Sequence, residues 1–215
     1  MAAPQSDVVR RVAKPVAGLL LLIVGIGAGW LLAAWRAAPR DDSAEAGFAR
    51  DMATHHAQAV DMSFVVRDKS MDEELRTLAS DIIVTQSTQR GIFMGWLQQW
   101  GLSQASARPR MAWMPGHAHV TSSSGDVLMH GMATDAELRR LHEVSGVDAE
   151  ILFLQLMIRH HEGGILMARA LLELTGRREL IQMAKSIEDG QRAEIAHMRM
   201  MLVARRAQAL PSLLE

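Results

Sequence analysis

Residues 157–167 read Met-Ile-Arg-His-His-Glu-Gly-Gly-Ile-Leu-Met, and residues 52–62 read Met-Ala-Thr-His-His-Ala-Gln-Ala-Val-Asp-Met. Both fit M-x-x-H-H-x-x-x-x-x-M, at an offset of 105 positions. The offset pairs Met52 with Met157, His55 with His160, His56 with His161 and Met62 with Met167. It continues downstream, pairing Leu75 with Leu180, Ile82 with Ile187, Gln86 with Gln191, Gln89 with Glu194 and Leu97 with Leu202. At about 100° per residue, positions 52, 55, 56, 59 and 62 share one side of a helix, and so do 157, 160, 161, 164 and 167. Each half therefore reads as a helical hairpin with an apolar face it cannot bury alone. Pairing the two predicts an all-α, four-helix bundle with a pseudo-twofold relation.

Working outward, a first helix is expected from about Ser43, its N-cap, to Asp68. A second starts near the acidic run Met71–Glu74 and stops at Gly101. Residues 102–147 read as a Met- and His-rich linker carrying Met111, Met114, His117, His119, Met129, His130 and Met132. The linker ends in a short helix opened by a Thr134/Glu137 capping box. Asp148 is expected to cap the third long helix, with Gly176 as its stop. The fourth runs from Arg178 to Ala207. The hairpins are thus 41–101 and 148–207, in one domain over 41–207. Strand signals are missing, since Tyr is absent and no period-2 alternation is sustained.

Upstream, 1–15 read as a cytoplasmic N-terminus and 16–38 as a transmembrane anchor. Val16 to Trp35 carry no charge, and twenty helical residues span roughly 30 Å, a bilayer core. Arg10, Arg11 and Lys14 favour a cytoplasmic N-terminus and an extracytoplasmic domain. A cleaved signal peptide is the rival reading, but its apolar stretch is usually shorter, about 7–15 residues.

Residues 41–215 carry 18 basic and 23 acidic side chains, a net charge of −5, with no basic patch suited to nucleic acid. There is no cysteine, so neither a disulfide nor a thiolate metal ligand is available, while methionine occurs 15 times. Thioether and neutral imidazole suit soft and borderline metals. His55, His56, His160 and His161 are the primary metal-ligand candidates. Met52, Met62, Met157 and Met167 stand beside them as thioether ligands or close packing. His197 and Met198 are additional ligand candidates. Asp51, Asp61, Glu162 and Glu194 are candidate acceptors for the far nitrogens of ligating imidazoles. Met71, Met94 and Met183 read as core fillers, and the pair Arg205-Arg206 reads as a solvated face. The alternative for the His pairs is a structural one: buried histidines that hydrogen-bond between helices and fix register.

The doubled His-His motif, the run Gln191-x-x-Glu194-Ile195-x-x-Met198 and the Met-His-Gly-Met element at 129–132 resemble the DUF305 family over roughly residues 44–203. The resemblance implies a ferritin-like bundle, exported or membrane-anchored. It also implies a kinship with periplasmic copper-binding proteins that use Met and His ligands. The first half departs from the fuller pattern: His197, Met198 and Met201 are matched by Ile92, Phe93 and Trp96. The expectation is a membrane-anchored, extracytoplasmic protein that sequesters or passes on copper, Cu(I) before Cu(II), with zinc a lesser option. Two alternatives remain: a metal-free helical module binding another envelope protein, and a di-iron oxidase. The latter is weakened because Glu194-x-x-His197 is matched by Gln89 and Ile92, which leaves half the ligand set missing.

Overall fold

A computed structural model of the protein describes residues 21–30, 37–115, 120–121 and 127–214. The chain divides into two units at Ala38, and Pro39–Glu215 is compact by itself. Of the anticipated anchor, only 21–30 and 37–38 are described, and 21–30 are helical. No helix among the described residues is long and apolar enough to cross a membrane. The rest of that span lies outside them, as do His117 and His119.

The second unit is built on four long helices, α1 (Ala44–Lys69), α2 (Glu73–Gln99), α4 (Gly146–Leu174) and α5 (Arg178–Ala204), with a short α3 (Asp135–Glu143) before α4. Ser43 caps α1 by accepting from Ala46 N–H, and Asp72 caps α2 by accepting from Leu75 N–H. Thr134 and Glu137 form the expected capping box on α3. Gly101 ends the first hairpin at φ +71°, a conformation that glycine takes without steric cost. The linker also holds a minimal antiparallel ladder, β1 (Val120–Thr121) with β2 (Val127–Leu128).

Three boundaries differ from expectation. Asp148 lies in the first turn of α4 rather than capping it, because the helix starts at Gly146 after Ser145, whose side chain makes no cap bond. The chain leaves α4 through extended Thr175, so Gly176 is not the stop. Helix α5 ends at Ala204, three residues early, and Arg206 turns the chain at φ +56°. The tail beyond it returns across the second hairpin. Gln155 donates to the Gln208 carbonyl, and Glu162 receives Ser212 Oγ–H and Leu213 N–H.

Helix α1 packs along α2, α5 along α4, and α1 meets α4 to join the hairpins. The predicted inward stripes are buried throughout: Met52, His55, His56, Ala59 and Met62, and likewise Met157, His160, His161, Gly164 and Met167. The apolar core falls into two clusters. One holds Met62, Met157, Met198 and Met201 with Phe153 and Leu75. The other holds Met52 and Met167 with Phe48, Phe93 and the linker residues Met111, Met114 and Met129. Antiparallel pairing of α1 with α4 explains the cross-assignment: the first Met of one motif shares a cluster with the last Met of the other. Full burial of such side chains contributes about 1.5–3 kcal/mol each, enough to stabilise a domain without disulfides.

Met71 does not fill the core as its residue type suggests; it sits between helices and is 89% exposed. Arg205 is not a solvated side chain either. It is pulled inward between Glu150 (2.9 Å) and Asp72 (2.7 Å), tying the end of α5 to α4 and to the cap of α2.

Candidate metal centre

The repeated histidines occupy the middle of the α1–α4 contact. His55 and His160, equivalent in the two repeats, face each other with ring centroids 3.7 Å apart and planes tilted by 34°. His56 and His161 turn away from that pair toward their own hairpin partners. His56 Nε2 lies 2.7 Å from Gln89 Oε1, and His161 Nε2 lies 2.5 Å from Glu194 Oε2. The repeat offset also relates Gln89 to Glu194, so the same hydrogen bond is built twice with a different acceptor.

Tautomers follow from these partners. An amide oxygen, a carboxylate and a backbone carbonyl can only accept, so Nε2 must donate in all three cases. His55 Nε2 donates to the His130 carbonyl at 3.1 Å. In neutral rings the Nδ1 atoms of His55 and His56 are thereby left as bare lone pairs, and neither they nor His161 Nδ1 have a hydrogen-bond partner. Neither ring nitrogen of His160 makes a well-formed hydrogen bond, the His55 backbone being only weakly engaged. One turn before Gln89 and Glu194 on α2 and α5, the equivalent amides Gln86 and Gln191 also carry unpartnered buried atoms. Buried polar groups are nearly always satisfied in folded proteins, and a cluster of exceptions points to a bound water or ion.

Burial keeps the rings of His55, His56 and His160 neutral. Desolvation, followed by the neighbouring imidazole His56, lowers the pKa of His55 to about 3. Desolvation lowers that of His56 to about 4, against a smaller opposing effect of its bond to Gln89. His160 is also held well below the usual imidazole value, by desolvation and then by His55. A neutral imidazole is the form that binds a metal.

The linker forms the roof of this layer. Gly131 adopts φ +76° and packs on α4, where Gly163 lies beneath it. A Cβ on Gly163 would overlap the His130 carbonyl oxygen, so no larger residue fits while that carbonyl stays on His55. Gln58 clamps Ala133 through both its backbone groups, and Arg159 holds Glu137 and the Met132 carbonyl. Further back, Asp51 accepts from Met111 N–H (2.8 Å) and Trp113 Nε1–H (2.9 Å), and Trp113 fills the space over Gly47.

Not every candidate joins the layer. His197 is partly exposed and bonds Glu74 at 2.7 Å, on the outside of the bundle. Met198 is buried with Met62 and Met157. Of the four carboxylates considered as acceptors for the imidazoles, only Glu194 meets one. Asp51 holds the linker, Glu162 holds Arg199 and the C-terminal tail, and Asp61 is exposed. Among the described residues no group of three or more His, Cys, Asp or Glu side chains is placed to hold an ion. The four histidines are therefore not a single imidazole cage. Sequence reasoning missed the Gln89 acceptor and the His130 carbonyl. The offset of 105 already paired Gln89 with Glu194, which was the available signal.

The family model described as a domain of unknown function, DUF305, matches residues 45–202. No curated protein matches the sequence. A candidate secreted DUF305 protein from Streptomyces coelicolor is similar at 44% identity and a TM-score of 0.73, covering 80% of this chain and 99% of its own. A DUF305 fragment from Deinococcus radiodurans gives 32% identity and a TM-score of 0.62, over 75% of this chain and 96% of that one. CopM in its Cu(I)-bound form gives 26% identity and a TM-score of 0.56, over 75% and 96%. CopM also matches in its Cu(II)-bound, silver-bound and apo forms.

Proposed function

This chain belongs to the DUF305 family, and on that premise we propose that it is an extracytoplasmic copper-handling protein, tethered by its N-terminal apolar segment, that sequesters or passes on Cu(I). The observation that carries the reading is the layer of four fully buried histidines, each with a ring nitrogen that has no hydrogen-bond partner. Thioethers of Met52, Met62, Met157 and Met167 lie in the apolar clusters that adjoin it in the bundle. Imidazole and thioether together make a soft donor set, which favours Cu(I) over harder ions. Zinc asks for four tetrahedral nitrogen, sulfur or oxygen ligands, usually anionic in part, and the absence of a three-residue His/Asp/Glu group among the described residues weighs against it. Similarity to CopM, a protein with Cu(I)- and Cu(II)-bound structures, supports the same cargo.

The role is binding rather than catalysis. A di-iron cage would need Glu194 and His197 to share a metal, yet Glu194 bonds His161 while His197 bonds Glu74. Anaerobic titration of the full chain with Cu(I), melting the protein at each point, tests the reading. A ligand confined to the folded state stabilises it by about 2.7 kcal/mol at a hundred times its dissociation constant. A rise in melting temperature that disappears when both His pairs become Ala is expected, and His197→Ala should retain it. A flat response to copper would leave the His layer as a register-fixing device and turn attention to an envelope-protein partner.

A further inference from the structure

The two halves of the His layer share their geometry but differ in charge. His56 donates from Nε2 to the neutral amide of Gln89, whereas His161 donates from Nε2 to the carboxylate of Glu194. Both rings are fully buried, and both present an unpartnered Nδ1 to the interior. Placing a monovalent cation on such a nitrogen removes the ion from water, which is strongly unfavourable unless an opposite charge stands close by. Glu194 supplies that charge through one imidazole ring, and it also makes the ring a better electron donor. Its side chain keeps 23% of its surface exposed, so the carboxylate itself retains contact with solvent. Gln89 fixes the same tautomer at His56 but brings no charge.

We infer that the half-sites are not equivalent: His161, backed by Glu194, takes a soft monovalent cation first and holds it more tightly than His56, backed by Gln89. Glu194 is then a positioning residue that sets the order of loading. The inference rests on the copper reading above, and its test separates the two.

Silver(I), a diamagnetic stand-in for Cu(I), is titrated into the full chain labelled with 15N-histidine. The metal-free spectrum reports the tautomers directly, and Nε2–H is expected at His55, His56 and His161. The first additions of silver should perturb His161 before His56. Glu194→Gln keeps an oxygen acceptor, so the His161 tautomer should persist while silver affinity falls by about 10–100-fold and the order of loading is lost. Gln89→Glu should bring His56 up to the level of His161. Simultaneous loading in the unaltered protein, loading of His56 first, or an unchanged affinity in Glu194→Gln overturns the inference and leaves copper handling intact. Silver that perturbs none of the four buried rings overturns both.

Discussion

His55 and His160 stand 105 residues apart in the chain and 3.7 Å apart between ring centroids, and they are the same residue of the two repeats. The pseudo-twofold relation therefore runs through a fully buried polar contact. The two rings differ in how they are satisfied. His55 has the His130 carbonyl, whereas His160 makes no well-formed hydrogen bond and only weakly engages the His55 backbone.

An unsatisfied buried polar group costs about 1–3 kcal/mol, and replacement by an apolar group of similar size removes that cost. His160→Leu is therefore expected to leave the melting temperature of the metal-free protein unchanged or raised. The copper-induced shift should vanish in the same variant. Thermal melts with and without Cu(I) read both effects at once. A large loss of stability without metal would mean that His160 has a structural partner.

The lowered pKa values of His55 and His56 set a pH dependence. Between the unfolded imidazole value of 6.5 and the folded values of about 3 and 4, the unfolded chain binds protons that the folded chain refuses. Stability therefore falls as pH drops below 6.5, and the loss ends once the folded rings themselves protonate. A tenfold difference in proton affinity corresponds to about 1.4 kcal/mol, so the loss is on the order of several kcal/mol by about pH 4. Urea unfolding of the metal-free protein at about pH 7, 5.5 and 4.5, a range within which the loss develops, should give a falling midpoint. Replacing His55 and His56 together should flatten that slope, and an unaltered slope would assign acid sensitivity to other groups.

Gly163 has no room for a methyl group beneath the His130 carbonyl. Gly163→Ala should push the 129–134 segment off the His layer, with an overpacking cost of about 1–3 kcal/mol. Amide hydrogen exchange at Gly131 and Met132 should speed up relative to the helix centres. Normal protection there would show that α4 moves instead of the loop.

Much of this was legible because it is local or periodic. The offset of 105 carried the hairpins, the inward stripes and the Gln89/Glu194 equivalence. Ser43, Thr134 and Glu137 marked helix starts, since a cap is decided within three residues. What escaped was decided by partners far along the chain. Arg205 is drawn inward by Asp72, 133 positions away, and Glu162 is claimed by a returning tail. The outward turn of His56 depends on Gln89, 33 positions on, and no helical wheel distinguishes a ring facing the bundle axis from one facing its hairpin neighbour.

Asp51 supplies the last test, because it binds the linker from the helix that carries the first His pair. Burial raises its pKa, opposed by the Met111 amide and then the Trp113 indole that it accepts from. Both donors, the Met111 amide and the Trp113 indole, lose their acceptor in Asp51→Ala, at about 1–3 kcal/mol for each group left unpaired. The segment around Arg108 and Arg110 should then detach locally, while α1 to α5 keep their packing. Limited trypsin digestion should cut after Arg110 faster in the variant, with helical circular dichroism unchanged, whereas Arg108 is protected by the proline that follows it. Equal cleavage rates would show that Trp113 packing over Gly47 is enough to hold the linker without the carboxylate.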